Sequence, residues 1–330
     1  MSGAGDGDPA TPAAARAEGA SAPRGLWCGA GLLRRLGVTG RGVVTAVPYL
    51  WLFLFFFVPF LIVLKISFAQ VVIARPPFTS LLKWGEGLWP EVQAYVDNYA
   101  FLLSDALYWV AYLNSVKIAL ISTGLCLLIG YPMAYAIARA RPTMRTMFLV
   151  MVILPFWTSF LLRVYAWIGI LKQNGVINNV LIWSGVLQEP LPMLHNDFSV
   201  YVGIVYSYLP FMILPVYANL EKMDVSLLEA AADLGARPLK TFVTVTLPLS
   251  VPGIVAGSLL VFIPAVGEYV IPALLGGPDT LMIGKILWNE FFSNRDWPVA
   301  SAVTIVLILV LVIPIVIFQR QQMKTQEAWE

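Results

Sequence analysis

The sequence predicts an all-α polytopic membrane protein with six spanning helices. Three observations carry that expectation. Hydrophobic residues make up 59% of the 330, and charged residues only 12%, where a soluble domain carries about 25% charge. Mean hydropathy is +0.78. Six continuous apolar stretches each approach or exceed the roughly 20 residues that carry a helix across ~30 Å of hydrocarbon. Their continuity excludes the alternating pattern of a membrane β-barrel. The same composition excludes an ordinary cytosolic enzyme and a largely disordered chain. Two cysteines, Cys28 and Cys126, make no disulfide framework. One histidine, His195, makes no histidine-based metal centre, and a net charge of +2 gives no nucleic-acid signal.

Residues 1–24 are an expected disordered tail, since fifteen of them are Ala, Gly or Pro. No apolar h-region precedes residue 43, so a signal peptide is not expected. Residues 25–42 are basic and carry Leu26, Trp27, Leu32, Leu33 and Leu36, which suits a short helix lying on an anionic membrane surface. A six-helix domain then covers 43–318. Its spans are expected at 43–64, 115–138, 147–171, 200–220, 253–275 and 300–318. Pro59, Pro155, Pro210, Pro215 and Pro264 fall inside them, and membrane helices tolerate such kinks. Residues 319–330 are read as a second tail.

Lys and Arg in the connections set the orientation. With the N-terminus inside, thirteen fall in inner segments and six in outer ones, and Lys117 and Arg163 lie within spans. Both termini are therefore expected in the cytoplasm. The outer loop 65–114 holds Trp84, Trp89, Tyr95, Tyr99 and Tyr108 among prolines and glycines. It reads as a packed interfacial loop or as a docking surface for an external partner.

The inner loop 221–252 carries the most information. Ser226 and Glu229 have the spacing of a capping box, and Ala230, Ala231 and Ala232 are strong helix formers. Gly235 suits a left-handed helix stop. Arg237-Pro238 can open a second short helix, with Leu239, Phe242, Val243 and Leu247 as its apolar stripe. A plain connector between spans would be shorter, so a helix–turn–helix docking element is expected.

Glu229-Ala230-Ala231, Gly235, Val245, Leu247 and Pro248 resemble the EAA motif of permeases in binding-protein-dependent ABC importers, with Val245 in place of the usual Ile. The resemblance extends over nearly the whole chain to polyamine permeases, above all those of putrescine importers. The runs 154–167, 233–242 and 265–272 carry it, as do Leu274-Leu275-Gly276-Gly277-Pro278-Asp279 and Asn294-Arg295-Asp296-Trp297-Pro298. It implies a type I importer architecture in a bacterial inner membrane. It also implies a second permease subunit, two ATP-binding subunits, an extracytoplasmic polyamine-binding protein and a polyamine substrate. On that reading Glu229, Ala230, Ala231, Gly235, Arg237, Leu247 and Pro248 couple to the ATPase. No G-x-x-x-x-G-K-[ST] phosphate loop is present, and Gly284-Lys285 is followed by Ile286. The chain is therefore expected to be a transport subunit with no cofactor or metal, and not itself an enzyme.

Arg163 and Glu268 are charges deep in expected spans, and such residues are functional candidates by default. Each lies about 15 residues into its span, roughly 23 Å up. That equal depth allows an ion pair; the alternative is a Glu268 that meets a substrate ammonium. Trp157, Tyr165, Trp167, Tyr206, Tyr208, Phe211 and Tyr269 offer ring faces to a cation, and two or three of them are expected to line a pathway. Two other readings stay open: a permease for a different small solute, or a secondary cation transporter working through Glu268. A self-sufficient carrier would not need the docking loop.

Overall fold

A computed structural model describes residues 40–83, 91–92 and 94–327. The expected tail at 1–24 and the basic segment up to residue 39 lie outside the described residues. The chain divides into two compact units at Pro59 and Phe60. In the first, α1 (Gly40–Leu52) passes into a π-helical turn at Phe53–Phe57. Trp51 and Phe55, and Phe53 and Phe57, pair along it at 4.3 and 5.3 Å.

α2 (Val58–Ser67) completes the first candidate span, Val44–Ser67. Beyond it the chain is not wholly helical. Val71 bridges Phe78, and two-residue strands β1 (Leu82–Lys83) and β2 (Glu91–Val92) pair antiparallel. Asn98 ties this loop down, donating from Nδ2 to Ser67 O and Ala69 O at 2.9 and 2.8 Å. α3 (Asp97–Ser104) leads into α4 (Ala106–Arg139), whose first turn is capped by Asp105 accepting from Leu107 N at 2.8 Å. This span starts nine residues before the expected 115, so Lys117 lies well inside the helix.

The third span is not the straight helix expected over 147–171. α5 (Pro142–Ile153) tightens into a 3₁₀ turn at Leu154–Trp157, and α6 (Phe160–Leu171) follows. The two halves meet at 91°. Pro155 cannot donate to the helix ladder, and Thr158 turns extended, its hydroxyl donating to Pro155 O at 2.7 Å. After α7 (Val176–Trp183), buried Asn178 exchanges hydrogen bonds of 2.9 Å with Leu191 N and O.

α8 (Asp197–Glu221) opens with an Asn196/Ser199 capping box. His195 precedes it with φ 62, and its carbonyl would meet a Cβ on Gly277 at 2.4 Å. His195 is thus a corner residue. α9 (Ser226–Asp233) and α10 (Pro238–Thr241) form the next loop. α10 runs through a π turn (Phe242–Thr246) into α11 (Leu247–Val266). The expected second short helix is therefore the beginning of the fifth span, Pro238–Val266. That span stops at Gly267, well before the expected 275. α12 (Val270–Leu274), α13 (Ile283–Trp288), a π turn at Asn289–Ser293 and α14 (Trp297–Glu327) complete the chain. The helix of the last span thus continues into the segment read as a tail.

α4, α8 and α11 form the centre of the fold around Cys126, Tyr131, Ala134, Met212, Ile213, Val216 and Val261. Lipid offers helices no hydrophobic drive to associate, so close backbone approach through small residues matters more. Gly253 and Gly257 on α11 supply it: a Cβ there would stand 2.7 Å from Asn219 Cβ and 2.9 Å from Met212 Sδ.

Candidate functional sites: the Gly235 elbow and the Glu268 break

The elbow begins at Asp224. Its Oδ1 accepts from Ser226 N at 2.9 Å, and that backbone hydrogen bond holds its carboxyl below the usual carboxylate range. Ser226 therefore does not cap α9 with its side chain, and the expected Ser226/Glu229 capping box is not formed. Asp224 reaches the first free N–H and makes the box unnecessary.

At its other end α9 stops on Gly235, where φ is +76. Gly235 N donates to Ala232 O at 2.8 Å, and Ala236 N donates to Ala231 O at 3.0 Å. This pair of bonds is a Schellman motif. It explains the spacing of Glu229-Ala230-Ala231 from Gly235, because the Ala231 carbonyl needs a left-handed residue four places on. Arg237 is extended (φ −69, ψ 153) and Pro238 starts the next helix. Pro248 has no N–H to give Thr244 O, and just before it the turn widens so that Leu247 N reaches Phe242 O. Phe242 packs edge-on to Tyr131 and Tyr135 at 5.7 and 6.3 Å, and Ser250 Oγ lies 3.0 Å from Tyr131 Oη. These contacts seat the fifth span on α4. Beside the elbow Arg145 pairs with Glu221 at 2.6 Å. Glu229, Ala230, Gly235, Arg237 and Pro248 remain exposed, while Ala231 and Leu247 are half-buried. Leu234 and Leu239, at 89% and 76% exposure, flank the turn. The elbow thus presents apolar and charged side chains on a backbone closed by its own hydrogen bonds.

The second site lies where the fifth span breaks. Glu268 is buried. Tyr208 Oη donates to its Oε2, and Val270 N and Ile271 N donate to its Oε1 at 3.0 and 3.4 Å. The carboxyl thereby caps α12, as side-chain oxygens do at helix starts. Gly284 passes so close that a Cβ would meet Gly267 O and Glu268 O at 2.5 and 2.6 Å. Tyr269 stacks on Trp288 at 4.3 Å, and Trp288 continues onto Phe292 at 4.2 Å.

The expected Arg163–Glu268 ion pair is not formed. Among the described residues the one salt bridge is Arg145–Glu221. The Arg163 guanidinium lies 4.9 Å from the centre of the Phe156 ring and 5.7 Å from that of Phe160. Its Nε and Nη1 are buried without a hydrogen-bond partner among the described residues. The depth count assumed two straight spans, and both are broken: the third at Thr158, the fifth at Gly267.

Of the predicted pathway rings, Tyr208 and Tyr269 adjoin Glu268 in space or sequence. Tyr206 instead packs on Trp167 at 5.4 Å, because residues two apart on a helix face different ways. Trp157 and Tyr165 are exposed at 78% and 56%. Trp288 and Phe292 were missed by the sequence reading. Their i, i+4 spacing is the signal that was available.

Residues 126–322 match the family described as "Binding-protein-dependent transport system inner membrane component". The chain belongs to that family. It is 39% identical to the spermidine/putrescine transport system permease protein PotB of Salmonella typhimurium (strain SL1344), over 84% of this chain and 91% of that protein. It is 38% identical to the same-named protein of Escherichia coli (strain K12), over 84% and 95%. A crystal structure of a bacterial alginate ABC transporter, in complex with an alginate-bound periplasmic protein, contains a chain with the same fold. Its TM-score is 0.61 at 19% identity, covering 87% of this chain and 95% of that one. The fold is that of an ABC importer permease, and the chain is a membrane transport subunit.

Proposed function

We propose that this chain is one of two permease subunits in an ATP-driven polyamine importer, with putrescine as its expected cargo. The observation that carries the reading is the 38–39% identity to spermidine/putrescine permeases across 84% of the chain. An extracytoplasmic binding protein delivers the polyamine, and two ATP-binding subunits supply the energy. Both termini face the cytoplasm, which puts the Gly235 elbow on the ATPase side. Glu229, Ala230, Ala231, Gly235, Arg237, Leu247 and Pro248 shape the surface that the ATPase grips. The exposed Leu234 and Leu239 extend that surface.

Along the pathway Glu268, Tyr208 and Tyr269 form the inner contact for an ammonium group, with Trp157, Tyr165 and Tyr206 as further rings. The Glu268 carboxyl already accepts three protein donors. A passing cation therefore meets an oriented acceptor and not a free-swinging side chain.

The test is reconstitution. Liposomes holding both permeases, the ATPase and the binding protein should accumulate labelled putrescine only with ATP, and competition with spermidine ranks the two cargoes. The isolated chain should move neither, with or without a proton gradient. Gradient-driven uptake by the isolated chain would favour a secondary carrier instead.

A further inference from the structure

A cavity of about 400 Å³ lies between residues 74–77 and the start of α14. Arg75 and Arg295 line it, together with the rings of Phe291, Phe292 and Trp297. Its two arginines come from different elements. Arg75 sits in a turn closed by the Val71–Phe78 bridge and by Thr79 N donating to Gln70 O at 2.9 Å. Phe78 lays that turn on Trp297, ring to ring, at 6.1 Å. Arg295 has φ 54, an uncommon conformation for a residue with a side chain. It is bracketed by Asn294 N donating to Asn289 O and Asp296 N to Glu290 O, both at 2.9 Å.

Neither arginine has a hydrogen bond or ion pair among the described residues. The neighbouring carboxyls are committed elsewhere. Glu290 accepts from Tyr108 Oη at 3.1 Å and Asn294 Nδ2 at 2.9 Å, and Asp296 accepts from Val299 N at 3.0 Å. Two exposed guanidinium side chains thus share a cavity whose remaining wall is Ala74, two prolines and three aromatic rings.

The depth of the cavity identifies the ligand. Trp297 is the first residue of the last candidate span, Trp297–Ile317, so the cavity opens at the level where aromatic belts meet lipid headgroups. Guanidinium forks match phosphate oxygens. Inorganic phosphate would satisfy the arginines but leave the rings uncovered. We propose that this cavity binds the phosphodiester headgroup of an anionic phospholipid, with the glycerol and first acyl carbons against Phe291, Phe292 and Trp297. The site is independent of which solute the protein carries.

The experiment is lipid retention by the full chain in nanodiscs of mixed phosphatidylglycerol and phosphatidylcholine, read by native mass spectrometry. The unaltered chain should keep phosphatidylglycerol in preference, and excess inorganic phosphate should not displace it. Arg75→Gln with Arg295→Gln should lower that preference about 10-fold. Arg75→Lys with Arg295→Lys, which keeps the charge but loses the fork, should fall between that variant and the unaltered chain. Equal retention of the two lipids by the unaltered chain overturns the proposal without any variant. So does undiminished preference in the Gln variant, or displacement by inorganic phosphate. If the Gln variant keeps its lipid while the assembled transporter loses stimulation by its binding protein, the cavity holds a protein carboxylate and the lipid assignment is wrong.

Discussion

The Gly235 elbow and the Glu268 break both interrupt apolar helices, yet their polar groups are satisfied from opposite directions. At the elbow the backbone closes on itself: Ala231 and Ala232 carbonyls take the N–H groups of Ala236 and Gly235. The side chains are left over, and Glu229, Arg237 and Lys240 are exposed. At the break a side chain closes the backbone, since the Glu268 carboxyl takes two N–H groups and a tyrosine hydroxyl. Little is left over there, and Glu268 is 8% exposed. Water can satisfy a polar group at a surface loop, whereas an unsatisfied group in hydrocarbon costs several kcal/mol. A self-closed turn with free side chains suits a docking surface. A saturated break suits a point that must hold its shape inside the membrane.

The comparison can be broken hardest at the elbow. Proline in place of Gly235 demands a φ near −65° and removes the N–H that bonds Ala232 O. Gly235→Pro should abolish uptake while the protein still inserts, as measured by transport and by the amount of protein in the membrane. Surviving transport with intact ATPase stimulation would remove the elbow from coupling.

Glu268→Gln should give the next largest effect. The amide keeps the shape of the cap but not its charge. Uptake should fall about 10-fold, as for the loss of one hydrogen bond to a charged group, with the yield of assembled complex near normal. Because Arg163 is not the partner, Arg163→Gln added to Glu268→Gln should rescue nothing, and the two stability effects should add within ~0.5 kcal/mol. Recovery of complex yield in the double variant would restore the ion pair that the sequence suggested.

The smallest effect concerns Asp224. Its carboxyl is held below the usual range by Ser226 N, so its support for α9 is present above the unfolded-state pKa and is lost as pH falls through the folded one. The protection factors of residues 226–229, the intrinsic exchange rate over the observed one at each pH, should be steady from pH 7 to about 5 and fall below about 4. Asp224→Ala should be less protected above about pH 5, converge with the unaltered chain at low pH, and lose that pH dependence. An unchanged profile in Asp224→Ala would assign the start of α9 to another group.

Much of this contrast is legible in the sequence. Apolar run length marks five spans that stand as single helices and a sixth that is bent, and the elbow is readable because glycine and proline act locally: Gly235 stops a helix and Pro238 starts one. The break was not readable, because its cause is distributed. Nothing in the run 253–275 says that the helix must stop at Gly267. The stop depends on Glu268 turning back to cap Val270 and on Gly284 letting another segment approach the same backbone. The same limit misled the reading of Arg163. Counting residues along two spans assumes both are straight, and Pro155 with Thr158 bends one of them by 91°.

The uninterrupted run from Pro238 to Val266 has a mechanical consequence. Its 29 residues make a rod of ~43 Å, with the elbow at one end and Glu268 just past the other. Glycines 253 and 257 let it lie directly on the backbone of α8, which is where a pivot would sit. A tilt of about 5° at Pro238, pivoting at mid-rod, carries the far end ~2 Å in the opposite sense, on the scale of the rise of a helical residue. Tyr208 belongs to α8 and Glu268 to the rod's tip, so the hydrogen bond between them spans the joint and would be the first to register the swing.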